Sequence, residues 1–255
     1  VYISTHQNKL SQSLTLNPIQ WVNSPQASKR FWSHFYNQTS FLIDRKDRNN
    51  STSIRLNPFH SIAEDRLALQ SNFRNQLFYN RGKQRYTISY SYLESKARNT
   101  LSFGYIEQQN FSHQLNFLHK IKGQWLISLQ TNLDKNYSAS ENFSSKNYQL
   151  KESLLNPKLS YLLDDNKRFD VYYQYQNKNN SIGDLERLTQ EKYGVSFTLT
   201  QNQKAAITGE FNYFSNEFSG NPNTPVAYQM MEGLQPGTNL TWSLVAQKKL
   251  TKFLD

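Results

Sequence analysis

The stretch RYTISYSYLE, residues 85–94, places Tyr86, Ile88, Tyr90 and Tyr92 on one face of an extended chain and Thr87, Ser89 and Ser91 on the other. Period-two alternation of this kind argues against a helix and for a strand with one aromatic wall and one wet wall. It recurs along most of the chain. Leu67, Leu69, Phe73, Leu77 and Tyr79 share a face, as do Leu101, Phe103 and Tyr105. Phe111, Leu115 and Phe117 follow, then Trp125, Ile127, Leu129 and Leu133. Later come Phe169, Val171, Tyr173 and Tyr175; Tyr193, Val195, Phe197 and Leu199; Ile207, Phe211 and Tyr213; and Leu240, Trp242, Leu244 and Ala246. The intervening positions are mostly Ser, Thr, Gln, Asn and Asp. Phe35, Phe41 and Ile43 mark a weaker strand, and Ile54 and Leu56 a short one. The pattern predicts roughly thirteen strands. The best helical rival, IAEDRLALQSN (62–72), reads better as a strand through Leu67, Leu69 and Phe73.

Many of these strands run to about ten residues or more, against five or six in ordinary soluble sheets. A tilted strand that crosses a bilayer needs about nine to eleven. Connections in the second half alternate: long at 136–146, 177–190 and 216–239, short at 164–168 and 201–204. Outer-membrane barrels have short periplasmic turns and long outer loops, so the short connections are expected at the periplasm and the long ones outside. In the first half GKQ (82–84), SKAR (95–98), QQN (108–110) and KIKG (120–123) all read as tight turns. LNP triplets at 16–18, 56–58 and 155–157 are expected to mark strand ends or bulges, because proline lacks the ladder N–H.

Apolar residues make up only 36%, yet the chain carries 16 Tyr, 16 Phe and 4 Trp. Mean hydropathy is −0.78. That is poor in aliphatic residues for a soluble core and rich in aromatics for a disordered chain. A barrel with a hydrated lumen needs no such core. The predicted fold is therefore all-β: an antiparallel up-and-down transmembrane β-barrel, or part of one, with long strands and a polar lumen. Residues 1–64 supply less regular lead-in strands and 65–255 a regular meander. Tyr86, Ile88, Tyr90 and Tyr92 are expected to face lipid. Tyr86 and Tyr92 stand about 20 Å apart along the strand, close to the separation of two aromatic girdles. Trp125 and Trp242 are expected near strand ends as interfacial anchors. No run of 18 apolar residues offers a transmembrane helix. Phe253 and Leu254 begin another alternation at Asp255, which suggests that the strand closing the barrel lies further on.

The formal net charge is +10. RKDR (45–48) and QKKLTK (247–252) are the densest basic runs, and neither lies in an aromatic stacking platform, so nucleic acid is not an expected partner. The basic excess suits phosphates of lipopolysaccharide at the outer rim, alongside outer-membrane lipid. With no cysteine there are no thiolate sites or disulfides. His6, His34, His60, His113 and His119 are dispersed, and His113 and His119 fall on one strand face about 20 Å apart, too far to share a metal. Asp164 and Asp165 read as turn formers. There is no phosphate loop and no Ser-His-Asp arrangement. No catalytic, cofactor-binding or metal-ligating residue is expected, and the chain is not expected to be an enzyme.

The run YQMMEGLQPGTNLTW, residues 228–242, resembles the region before the last strands of large, uncharacterised outer-membrane β-barrel proteins of Bacteroidota. LNPFH (56–60) and LALQSNFRNQLFYNR (67–81) are also similar. The resemblance implies the outer membrane of a Gram-negative bacterium and a longer parent chain, and implies no catalytic residue. Within the run, Pro236-Gly237 is a type II turn signal, and Gly233 can release the loop from the strand. The expected role is a channel or transport component, or a subunit of an outer-membrane assembly, secretion or nutrient-uptake complex. The alternative is a secreted β-sandwich whose exposed Tyr and Trp stack on carbohydrate.

Overall fold

A computed structural model describes residues 4–17, 34–49, 66–81, 85–101, 104–121, 123–164, 166–183, 185–201 and 205–248. Their alternation folds into eleven strands: β1 (Ser4–Leu16), β2 (Phe35–Asn49), β3 (Arg66–Tyr79), β4 (Tyr86–Leu101), β5 (Gly104–Lys120), β6 (Trp125–Ser140), β7 (Tyr148–Asp164), β8 (Lys167–Asn180), β9 (Arg187–Gln201), β10 (Ala205–Ser219) and β11 (Gly237–Lys248). Each pairs antiparallel with its sequence neighbours, giving one up-and-down sheet ordered β1 to β11. β1 and β11 are each paired on one side only, so the sheet is not closed among the described residues. One short helix, α1 (Pro225–Met230), sits in the last connection.

The distribution of side chains is inverted relative to a soluble protein. Val171 is 58% exposed and Trp242 76%, whereas Gln190 is 1% exposed and Asn212 6%. Register produces this. A row of directly paired residues runs Tyr86, His119, Ile127, Leu159, Val171, Val195, Phe211, Trp242, all on one face. The row starts at the first residue of β4 and meets β11 six residues before Lys248. Six residues climb about 20 Å across seven strand spacings of about 4.8 Å, a lean of about 30°. Closed barrels have strands tilted by about 35–45°.

Aromatic pairs bracket the apolar band. Toward the short-turn end lie Tyr79–Tyr86 at 6.2 Å between ring centroids, Trp125–Tyr161 at 4.8 Å and Phe169–Phe197 at 6.5 Å. Toward the other end lie Tyr92–His113 at 5.0 Å, Tyr173–Tyr193 at 5.0 Å and Tyr193–Tyr213 at 6.3 Å. Beyond that second row the same face turns polar, at Glu94, Lys135, Lys151, Asn177 and Glu191. One polar notch interrupts the band on β2 and β3, where three side chains satisfy one another. Asn75 Nδ2 donates to Thr39 Oγ1 at 2.7 Å, Thr39 Oγ1 to Asn37 Oδ1 at 3.1 Å, and Asn37 Nδ2 to Asn75 Oδ1 at 3.3 Å.

Several sequence expectations change. The roughly thirteen strands become eleven among the described residues. SKAR lies inside β4 and QQN inside β5, because polar residues continue the ladder where hydrophobic alternation fades. Leu101 and Tyr105 belong to different strands: β4 ends at Leu101, which pairs with Gly104 (φ +91°) at the start of β5. Phe103, Ile54, Leu56 and the triplet 56–58 lie outside the described residues. Pro157 marks neither an end nor a bulge. It sits inside β7 opposite Leu129, and the β7–β8 ladder skips Asn156 and Pro157 without losing register. Trp242 is at the sixth of the twelve residues of β11, at the strand middle opposite Phe211 and not near its end. The long connections shrink to 141–147, 181–186 and 220–236, yet stay longer than 165–166 and 202–204. The lead-in strands β1 and β2 join the same sheet as the rest.

Two glycines let aromatic rings cross strands. Tyr172 on β8 lies over Gly194 on β9, leaving no room for a Cβ, and Phe197 lies over Gly209 on the opposite face. Tyr172 thereby spans β9 to reach β10. Its hydroxyl stands 2.6 Å from Glu210 Oε1 and 2.5 Å from Asn212 Oδ1. Gly194→Val is expected to expel the ring and cost ~1–3 kcal/mol, as over-packing does. The urea midpoint of the folded protein in detergent reads this. In a Tyr172→Ala background the same substitution should cost much less, and equal costs in both backgrounds would contradict the cross-strand packing.

Candidate functional site: a polar face spanned by an inward-folded loop

The face opposite the apolar band carries several groups of bonded polar side chains. Arg168 Nε pairs with Asp170 Oδ1 at 2.8 Å, and its guanidinium donates to Ser160 Oγ at 3.1 Å. Further along, Lys192 Nζ lies 3.8 Å from Glu210 Oε1 and 5.2 Å from the centroids of the Tyr172 and Phe214 rings. Gln190 Nε2 then donates to Asn216 Oδ1 at 2.9 Å. Basic and acidic groups are interleaved along this face. Among the described residues no three His, Asp or Glu side chains cluster closely enough to hold a metal.

The connection 220–236 folds onto this polar face. Thr224 caps α1 by accepting the Ala227 N–H at 3.0 Å, and Pro225 supplies the fixed φ of the first helical turn. Val226, Ala227, Met230 and Met231 pack on Leu150 of β7 and Leu188 of β9, with Tyr148 and Phe218 alongside. This small cluster holds all the buried apolar residues described except Phe214, four of them from the loop and two, Leu150 and Leu188, from the sheet. At ~25 cal/mol per Å² of apolar surface removed from water, each fully buried Met or Leu contributes about 2 kcal/mol to holding the loop there.

Polar contacts fix its orientation. Lys178 of β8 is buried; its Nζ donates to the Met230 carbonyl at 2.9 Å and pairs with Glu232 Oε1 at 2.8 Å. Asn216 Nδ2 donates to the Gln235 carbonyl at 3.0 Å, and Gln229 Nε2 to Tyr148 Oη at 2.8 Å. Glu186 accepts from Asn180 Nδ2 at 2.8 Å. Glu232, Gly233 and Gly237 have left-handed φ values of +56°, +80° and +89°. Gly233 donates its N–H to the Tyr228 carbonyl at 3.0 Å and so ends the helix, and Gly237 opens β11. Pro236 lies between them, at the end of the loop.

Of the other residues singled out from sequence, Tyr86, Ile88, Tyr90, Trp125 and Trp242 are exposed on the apolar face, and Tyr92 is half-buried there. His113 and His119 share that face without meeting: His113 Nδ1 is 2.8 Å from Tyr90 Oη, and His119 stacks on Phe117. Asp164 Oδ1 accepts the Asn166 N–H at 2.8 Å, a turn bond of the kind expected. Sequence reasoning missed Lys178, Glu186, Gln190 and Asn216. It also missed α1, although Thr224-Pro225 ahead of VAYQMM is a helix-start signal.

No protein-family model and no curated protein matches the chain. Solved structures resemble it at low identity. The in-vitro folded OmpT, an outer membrane protein of Vibrio cholerae, is 8% identical, with 96% of both chains covered and a TM-score of 0.44. The loop L8 deletion mutant of OmpT is 11% identical over 83% of this chain and 61% of that one, with a TM-score of 0.47. The ferric yersiniabactin uptake receptor FyuA of Yersinia pestis is 12% identical over 98% of this chain and 45% of that one, with a TM-score of 0.43. This chain thus spans less than two thirds of the OmpT loop-deletion mutant and of FyuA. Its function has to be argued from its own residues.

Lys178→Met keeps the buried stem and removes the bonds to Met230 and Glu232. Glu232 is more than half exposed, which screens the pair. The loss is expected to be about 1 kcal/mol of loop anchoring. Chymotrypsin cleavage within 220–236 should accelerate roughly five-fold at that cost, with the global unfolding midpoint little changed. An unchanged cleavage rate would show that Lys178 does not hold the loop.

Proposed function

We propose that the chain is β-barrel region of an outer-membrane protein of a Gram-negative bacterium, within a longer chain. It works as a channel or transport component, or as the pore-forming part of an assembly, secretion or nutrient-uptake complex, with no catalysis of its own. The observation that carries this is the inversion of the sheet: apolar side chains are exposed in a band bracketed by aromatics, and polar side chains are buried and bonded to one another. In hydrocarbon such a band is satisfied, and every backbone group of a strand needs a neighbouring strand as partner. The polar face then lines the passage and loop 220–236 narrows it. The likeness of residues 228–242 to the Bacteroidota barrel family sits with this reading. The secreted carbohydrate-binding sandwich needs a second sheet against the aromatic face, and the described strands all lie in one sheet.

The absence of cysteine makes the test clean. Single cysteines replace Ile88 and Val195 on the apolar face and Ser89 and Ser196 on the polar face. In phosphatidylcholine vesicles a water-soluble maleimide should label the two serine positions and spare the other two, and all four should react in urea. Labelling of Ile88→Cys and Val195→Cys in vesicles, with the serine positions spared, would reverse the assignment of faces and end the membrane reading.

A further inference from the structure

At the margin where the exposed face turns from apolar to polar, β6 and β7 set two lysines directly opposite each other, Lys135 against Lys151. Both are exposed. Like charges at facing positions of an antiparallel pair repel, and neither lysine has an ion-pair partner among the described residues. Glu94 lies beyond Phe111 in the same row, pairs with Lys96 at 2.7 Å and accepts from Tyr92 Oη at 3.0 Å. Asp134 and Glu152 alternate to the polar face, where Glu152 accepts from Asn136 at 2.9 Å. Two strands further along the same row stands a third exposed cation, Arg187, with Asn179 between it and Lys151.

These lysines line an open groove of about 620 Å³ together with Phe111, His113, Leu133, Ser153 and Asn177, and Asp134 and Glu152 also contribute to its wall. Lower on the same face, inside the apolar band, lies a second groove of about 640 Å³ lined by Ile127, Pro157, Leu159, Val171, Tyr173 and Val195. Pro157 forms part of its wall. Paired cations at the polar margin above an apolar trough match one kind of occupant: an anionic headgroup with hydrocarbon chains below it. Lys ammonium groups suit phosphate as point charges with freely turning donors.

We propose that Lys135 and Lys151 bind the phosphorylated headgroup of a membrane lipid, with its acyl chains running down the apolar groove toward Pro157. This rests on the membrane reading above and assigns that face a specific lipid chemistry. The phosphate removes the repulsion between the lysines, so lipid binding also stabilises the β6–β7 pair.

The test uses the protein in phosphatidylcholine nanodiscs carrying a small admixture of diphosphorylated lipid A or of its dephosphorylated form, with bound lipid counted by native mass spectrometry. The wild-type protein should retain the phosphorylated form preferentially. Lys135→Gln/Lys151→Gln should weaken that retention about 30-fold, as loss of two cations from a charged bilayer surface predicts. Lys120→Gln/Lys167→Gln, at the opposite ends of the strands, should leave it unchanged. Equal loss in both double variants, or no preference in the wild type, overturns the site. Displacement of the lipid by inorganic phosphate at the same concentration also overturns it, since the site would then take a soluble anion. A protein that fails the cysteine-labelling test loses the membrane reading itself. One that passes it but shows no preference for the phosphorylated lipid loses only this site.

Discussion

Parity of the β-ladder is the constraint on which the rest of this structure depends. Side chains alternate with a period of two, so a one-residue slip between any two strands would exchange their faces. The strand pairings hold one phase from β4 to β11, and both register shifts among the described residues fall near strand ends, at Lys46/Asp47 and Leu162/Asp164. There the faces are already polar or turning, and a change of phase exposes nothing costly. A slip at the middle of β8 would instead put Asp170 and Gln174 among Val195 and Tyr193.

Cross-strand devices secure that phase on both faces. On the polar face Tyr172 bridges three strands over Gly194, and Gln190 and Asn216 join β9 to β10. On the apolar face, ring contacts such as Tyr173–Tyr193–Tyr213 do the same with aromatic edges. Facing aromatic pairs are worth a few tenths to about 1 kcal/mol each. Their effect on register is larger than on stability, since a slipped pairing loses all of them together.

The strands and their faces were legible in the sequence because alternation records burial, and here one face is uniformly apolar over the middle of each strand. RYTISYSYLE alone puts Tyr86, Ile88, Tyr90 and Tyr92 on one side, and the strand lengths and loop alternation decide that this side faces out. Strand ends were illegible for the same reason. Beyond the band, as in SKAR, QQN or NKNN, the chain stays paired through backbone hydrogen bonds that carry no hydrophobic signature. Pro157 misled because its missing N–H falls where the ladder skips a step. The loop site was half legible: Gly233, Pro236 and Gly237 announce a turn, and Thr224-Pro225 a helix. Lys178 could not be found, because a lysine in NKNN reads as one more solvated charge until the Met230 carbonyl is placed against it.

The overhang of the strands past the apolar band sets the height of the loop. Leu150, Lys178 and Leu188, which hold α1, neighbour Lys151, Asn179 and Arg187 on the outward face, all above the last aromatic row. In a barrel embedded by that band, the obstruction stands above the hydrocarbon, at the level of the headgroups. A solute would be sorted while the dielectric around it is still high, where the self-energy of a charge is small. Selectivity would then reside in a part of the wall that the thickness of the hydrocarbon does not deform.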